Sequence, residues 1–465
     1  MVIKLVKTEI ENDDHLTSIF FHPEQYKDLT YIGRGSFGKV VAAKDSVRNC
    51  CVAIKKIEVR YEQIRFSHAR NLLREVVILR YAKNPQIVEL RSVYMDLQSE
   101  KVPESIYIVT EYCGENLPMY MARMGNRVSL EDAAKIVYNI ARGLNFLHEL
   151  EVYHRDLKPG NICIDMSDEK FPAKIIDLGY ARKKPRVSDE ITRKLATLCY
   201  RSPENLLGLK YKESQDVWSL GCILGYLVSS QHIFRYTKLD VMEDCGTLKN
   251  ILWYLGNPCE AFMNDLNDEN QGDINRYLFN FLKSQDTEKG KGFYELLPRN
   301  DEDRKRNEAL QLMTGMLRWY HKDRMCVQDI MKSDFVVEYR EQSLERLPVP
   351  KLCTLIKSIL DENENDIREY EIKKDYNGLI TNYLYNRIAE DFGWDEDLKD
   401  YYPYHPRSGS RRLAVLQNLT TLAVISTVAG VVYNYRQHDS FSWKTFFSGA
   451  ALVLTLSAVK RVLRC

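Results

Sequence analysis

The chain has 465 residues, 45% hydrophobic and 28% charged, the proportions of a globular protein with a real core and room for about two to three domains. Its 66 Lys and Arg nearly cancel its 65 Asp and Glu, so no global field draws in nucleic acid, and no nucleic-acid partner is expected. The 11 cysteines form no C-x-x-C pairs; Cys163, Cys222 and Cys326, each among apolar neighbours, read as free buried thiols of a reducing compartment.

The first 25 residues lack an apolar stretch of signal-peptide length and are interrupted by acids, so they read as an N-terminal extension. From about Tyr26 to Val59, "DLTYIGRGSFGKVVAAKD" and "CCVAIKKIEV" read as strands of an antiparallel sheet. "FSHARNLLREVVILRY", 66–81, spaces its apolar residues as a helix does, and "SIYIVTEY" reads as another strand. Beyond it the pattern turns helical: "LEDAAKIVYNIARGLNFLHEL", with Ser129 as its N-cap, and "SQDVWSLGCILGYLVSS". Strands first and helices after predict an α+β chain of two lobes with a cleft between them. The charged stretch 284–308 reads as a solvated excursion, and 339–406 as an acidic, tyrosine-rich helical appendage or stalk.

"GRGSFGKV" sets Gly33, Gly35 and Gly38 in G-x-G-x-x-G spacing, a weak signal alone because dinucleotide folds share it. Here a β-branched strand follows rather than a helix, which favours a glycine hairpin laid over phosphates by its backbone N–H groups. Lys55 of "VAIK" then sits where a strand can hold a cation against those phosphates, with Glu75 as its anion; taken singly, Lys55 reads as a surface lysine. In "VYHRDLKPGNICID", Asp156 can accept a hydroxyl proton, Lys158 can neutralise phosphate charge, and Asn161 offers a neutral oxygen to a hard cation. Asp177 in "IIDLGYA" supplies the charged ligand. Positioning and charge neutralisation are what phosphoryl transfer requires.

These residues together resemble the protein-kinase signature: "GRGSFGKV", "VAIK", Glu75, "HRDLKPGN", "DLG" and "SPE", in order, over about 26–338. The resemblance implies the bilobal kinase fold, an antiparallel β N-lobe over a helical C-lobe. It places ATP between the lobes and magnesium (Mg2+) on Asp177 and Asn161. By the same resemblance Asp156, Lys158, Lys55 and Glu75 are the catalytic set. Ile32, Gly33, Gly35, Gly38, Val40, Ala53, Lys55, Thr110, Glu111 and Cys113 hold the nucleotide, with Thr110 as gatekeeper and Glu111 to Cys113 as hinge. The lysine two residues after Asp156 resembles serine/threonine kinases, whose substrates are protein hydroxyls. Glu204 is expected to pair with Arg324, and Asp216 to brace the catalytic loop. Leucine in "DLG" and serine in "SPE" depart from the usual residues but leave the metal ligand and the acid in place.

Within the family, "TLCYRSPENLLGLKYKESQDVWSLGCI" looks like the group of cyclin-dependent and MAP kinases (CMGC). That alignment puts Thr192 at an activating phosphorylation site and Arg74, Arg155 and Arg182 at the arginines that would receive its phosphate. Arg201 matches a proline-directed pattern, which implies Ser/Thr-Pro substrates. No T-x-Y occurs in the loop, and Ser36-Phe37 stands where relatives carry threonine-tyrosine. Beyond "RE" no cyclin-binding sequence is recognisable; a cyclin-like or other activating protein stays open as a partner.

"LAVLQNLTTLAVISTVAGVV", 413–432, has the length of a spanning helix and no charge. A second run, about 441–459, reaches that length only by including Lys444. Arg407, Arg411 and Arg412 before the pair and Lys460, Arg461 and Arg464 after it predict both ends in the cytosol, a helical hairpin anchoring 407–465 in a membrane. Buried or partner-packing helices, or a re-entrant second run, satisfy the same pattern. The expectation is a membrane-anchored serine/threonine kinase with its catalytic part facing the cytosol. Its competitors are a catalytically silent pseudokinase scaffold and a soluble kinase whose tail packs on a protein.

Overall fold

The structure, a computed structural model, describes residues 5–11, 17–35, 38–58, 66–96, 105–166, 172–183, 197–209, 212–235, 243–269, 273–284, 290–297, 303–342, 353–354, 356–363 and 365. Its main compact unit comprises 8–20 and 25–388; a second comprises 1–7, 21–24 and 389–465, nearly all outside the described residues.

Strands β1 (Leu5–Glu11) and β2 (Thr17–Pro23) pair as a hairpin within the expected N-terminal extension. β3 (Tyr26–Gly35), β4 (Gly38–Asp45), β5 (Cys50–Glu58), β6 (Leu90–Asp96) and β7 (Ser105–Glu111) form an antiparallel sheet in the order β3-β4-β5-β7-β6. Helix α1 (Phe66–Tyr81) lies between β5 and β6 in the chain.

Side chains alternate across a strand, so register assigns each face. Val41, Ala43, Val52, Ile54, Tyr107 and Val109 share one face and pack with Ile10 and Phe20 of the hairpin. Phe20 meets Tyr107 edge-to-face at 5.9 Å. The pairs Val40↔Lys55↔Ile108 and Ala53↔Thr110 occupy the opposite face. One apolar core therefore aims Lys55 and its neighbours away from itself.

Past the hinge come β8 (Glu115–Asn116), α2 (Leu117–Arg123) and α3 (Leu130–Glu149), the last capped by Ser129 accepting from the Asp132 N–H at 3.0 Å. β9 (Val152–Tyr153), β10 (Ile162–Ile164), β11 (Ala173–Ile175) and β12 (Arg182–Lys183) make two small antiparallel sheets, β11-β10-β8 and β12-β9. The rest is helical: α4 (Pro203–Leu206), α5 (Ser214–Ser229), α6 (Glu243–Leu255), α7 (Glu260–Glu269), α8 (Asp273–Lys283), α9 (Asp303–Met316), α10 (Val327–Lys332) and α11 (Val337–Gln342). α5 is buried almost throughout, and its Trp218 stacks on Phe234 at 5.0 Å.

Two expectations change. The stretch 284–308 is not wholly a solvated excursion: Phe293 and Leu297 are buried, and α9 begins at Asp303 with Lys305 and Arg306 buried. Arg306 donates to the Tyr294 and Leu297 carbonyls and lies over the Tyr294 ring at 4.1 Å, so its stem is covered while its head is bonded. Cys326 is exposed rather than buried, because it caps α10 through Asp329. A helix over 356–363 buries Ile356, Leu360 and Asn363, and Lys183 both donates to the Lys357 carbonyl at 3.0 Å and pairs with Asp361. Leu360 and Asn363 line a notch with Arg74, Val77 and Ile78 of α1 and with Val152.

Among the described residues no helix is long and apolar enough to cross a membrane; the runs 413–432 and 441–459 lie outside them.

Candidate active site

A cleft of about 230 Å³ opens on the face of the sheet that carries Lys55. Ile32, Val40 and Ala53 line it from the strands, Leu79 from α1, and Ile108 and Thr110 from β7, with Glu111, Tyr112 and Cys113 along its edge. Gly160, Asn161, Cys163, Ile176 and Asp177 close the other side. The glycine turn belongs to the β3–β4 hairpin, where Gly35 pairs with Gly38. A Cβ at Gly38 would lie 1.8 Å from the Lys56 carbonyl oxygen, so only glycine lets the returning strand pass that close.

Charge gathers at one end of the cleft. Lys55 Nζ reaches Glu75 at 2.9 and 3.0 Å and Asp177 at 3.0 Å. Burial opposes a charge on Lys55, but the two carboxylates outweigh it and raise its pKa, so the ammonium is retained. Burial likewise opposes ionisation of Asp177, and Lys55 overrides it and lowers the pKa. Asp177 holds a positive φ of 57°, a sparsely populated conformation for a non-glycine residue. The reading of Lys55 as a surface lysine is thereby excluded.

Asp156 sits beside this end, nearly buried. Its Oδ1 accepts the Thr197 N–H at 3.1 Å, and its Oδ2 accepts from Lys158 Nζ at 2.7 Å and from Asn161 Nδ2 at 3.3 Å. Asn161 Nδ2 also donates to the Asp156 carbonyl at 2.8 Å. The loop is braced from below, as expected: Asp216 accepts the backbone N–H groups of His154 and Arg155, each at 2.9 Å, and His148 Nε2 lies 3.0 Å from it. Burial raises the Asp216 pKa, but the His148 contact and the loop N–H groups prevail and lower it. Arg155 carries a φ of 70° within this braced loop.

ATP and magnesium fit this cleft. The apolar walls suit a purine plane, and Lys55 at the charged end suits a phosphate chain. With Nδ2 committed to Asp156, the Asn161 side chain presents Oδ1 elsewhere, and with Asp177 it makes a hard oxygen donor set.

Residues 26–336 match the protein kinase domain family, about two thirds of the chain. The chain belongs to the protein kinase family. It is similar to the mitogen-activated protein kinase pmk-1 of Caenorhabditis elegans, 29% identical over 329 residues that cover 70% of this chain and 80% of that protein. The kinase is an ATP-dependent protein serine/threonine kinase.

Other expected positions fall as follows. Glu204 and Arg324 form a doubly bonded, fully buried pair, both contacts 2.6 Å. Arg74, Arg155 and Arg182 are all buried around the β9–β12 pair: Arg182 faces Tyr153 in register, and Arg74 lines a notch with Val152. Thr192, the residue they are expected to serve, lies outside the described residues, as do Ser36 and Phe37. Arg201 Nη1 lies 3.6 Å from Asp244.

Three parts of the site escaped the sequence reading. Thr197 acts through its backbone N–H, which leaves no side-chain signature. Lys174 clamps Glu111 at 2.8 and 2.9 Å, tying the end of β7 to β11; an isolated strand lysine carries no motif. Cys163 read only as a buried thiol, yet it lines the cleft.

Proposed function

We propose that the kinase transfers the ATP γ-phosphate to serine and threonine hydroxyls in this cleft, with Asp156, Lys158, Lys55 and Glu75 as its catalytic set. The observation that carries this reading is Lys55 held within 3.0 Å of both Glu75 and Asp177, which joins the sheet, α1 and the metal-side loop around one cation. Lys55 orients the phosphate chain, and Glu75 keeps its ammonium in place. The Glu111–Cys113 backbone holds the adenine edge between Ile32, Val40 and Ala53. Asp156 accepts the proton of the attacking hydroxyl, and Lys158, 2.7 Å from its Oδ2, offsets charge on the phosphoryl group. Asn161 and Asp177 would hold magnesium, which when bound neutralises the phosphate oxygens.

The test is phosphate transfer from ATP to a Ser/Thr-Pro peptide mixture by the full chain and by Asp156→Asn. Loss of about 10²-fold or more in the variant is expected for a positioned general base; equal rates in both would overturn the assignment. The mixture also tests proline direction, which rests on Arg201 within "YRSPE". Thr192 phosphorylation, received by Arg74, Arg155 and Arg182, would raise the rate after treatment with an upstream kinase.

Residues 407–465 anchor the kinase in a membrane, with the catalytic domain on the cytosolic side. The support is the uncharged run 413–432 with basic clusters flanking the tail. After carbonate extraction a spanning tail stays in the membrane pellet; release into the supernatant would overturn the anchor.

A further inference from the structure

We propose that His232 is a positioning residue for phosphate transfer: its neutral ring accepts the Tyr200 hydroxyl and so fixes the turn that orients Asp156, and protonation of the ring undoes this. The role rests on the reading of Asp156 as the proton acceptor. The turn Leu198–Tyr200 is bonded on every side. Just before it, the Thr197 N–H donates to Asp156 Oδ1 at 3.1 Å. Within it, the Tyr200 N–H donates to the Thr197 carbonyl at 2.8 Å. Ser219 of α5 donates its hydroxyl to the Tyr200 carbonyl at 2.9 Å, and the Tyr200 hydroxyl meets His232 Nδ1 at 2.7 Å. Asp156 and His232 are thus linked through a single turn of backbone, and where Tyr200 is held decides where the Thr197 N–H points.

The ring is clamped in orientation. Tyr226 of α5 stacks on it with centroids 5.2 Å apart and planes 15° from parallel, and Tyr200 meets it edge-on at 5.6 Å. Burial lifts the Tyr200 phenol well above its ordinary range, so it keeps its hydrogen and is the donor. Nδ1 can accept that hydrogen only while it carries none of its own. Among the described residues the Tyr200 hydroxyl has no second partner, so a proton on Nδ1 sets two hydrogens against one bond. His232 keeps an exposed edge, and solvent protons reach it. The groups that face it are Tyr200 from the turn, Tyr226 from α5 and Arg235 from its own loop, none of them a carboxylate. Partial burial and the charge of Arg235 lower its pKa. The bond is therefore complete above the ordinary histidine value of about 6.5 and lost as pH falls through the folded one.

The experiment measures kcat for transfer from ATP to the Ser/Thr-Pro peptide mixture by the full chain, from about pH 5 to 8. At neutral pH, Tyr200→Phe and His232→Phe each lower kcat by about tenfold, the worth of one buried hydrogen bond, with KM for ATP unchanged. The double variant is no slower than either single one, because both remove the same bond. His232→Asn, whose Oδ1 stands in for Nδ1 without titrating, restores most of the rate. The parent loses rate as pH falls through the histidine range, and His232→Asn does not follow it there. Additive losses, or parallel acid limbs in the parent and His232→Asn, would overturn the proposal. A lowered urea midpoint with kcat intact would do the same, since it leaves the bond a structural part only. If Asp156→Asn transfers phosphate as fast as the parent, the catalytic reading fails and this role with it. Urea midpoints of the Tyr200 and His232 variants, non-additive where the bond exists, report it without any activity and tell the two failures apart.

Discussion

Two buried acid–base clusters in this kinase use the same chemistry to different ends. Lys55, Glu75 and Asp177 meet at the wall of the cleft, and the Lys55 and Asp177 side chains keep 11% and 13% of their surface open. Glu204 and Arg324 keep none; both guanidinium arms are bound to one carboxylate, with Trp218 beneath at 5.1 Å. The open cluster has room for a further ligand at its cation. The sealed one has every partner inside the protein, and it joins α4 to the loop before α10. A buried ion pair is thus not a mark of function by itself; its access to a cavity decides.

The sharpest way to break this comparison is Arg324→Met. Leaving Glu204 ionised and sealed should cost about 3–5 kcal/mol of stability, read as a lowered urea midpoint; a midpoint within error of the parent would refute the structural role. Lys55→Met should do the reverse. Phosphate transfer falls about 10²–10³-fold, the loss expected when a preorganised electrostatic contact is removed. The unfolding midpoint moves less than in Arg324→Met, because water can reach the acids from the cleft.

A third prediction concerns the 356–363 helix. Ile356 is fully buried, so Ile356→Ala should cost about 2 kcal/mol or more. Asp361, 55% exposed in its pair with Lys183, should cost well under 1 kcal/mol on replacement by Ala. Thermal unfolding of the two variants side by side checks whether packing or charge holds this segment.

The smallest effect is in pH. Burial opposes the Glu204 carboxylate, but Arg324 prevails and lowers its pKa below the ordinary value of about 4.3. A depressed carboxylate adds stability that is complete above the ordinary value and lost as pH falls through the folded one. Stability of the parent should therefore decline more steeply below about pH 4 than that of Glu204→Gln, measured as urea midpoints across the acid limb. Parallel limbs would remove Glu204 from the account.

Much of this was legible in the residues. The glycine spacing, Lys55, Glu75, Asp156, Asn161 and Asp177 stand in an order that few other functions require, and Gly33, Lys55, Glu75, Asn161 and Asp177 line one cleft. Period-two alternation set which strand residues face the cleft, since Ile54 and Lys55 cannot share a face. Misreadings came from segments whose partners are remote. A charged run such as 303–308 looks solvated until Tyr294 and the 297 carbonyl are known to lie against Arg306. Cys326 has apolar neighbours in the chain, yet it caps a helix at the surface.

What the sequence by itself determined is the inventory of chemistry: which groups can take a proton, hold a phosphate or ligate a hard cation, and in which order the chain delivers them. Side-chain type and local spacing carry that information because they act over one strand or one turn of helix. Only the tertiary structure decided which of those groups meet. The bridging of Glu75 and Asp177 by Lys55, the Thr197 N–H on Asp156 and the helix lodged against α1 each join residues from separate elements. Such distances are set by how whole layers pack, and no single stretch of residues encodes them.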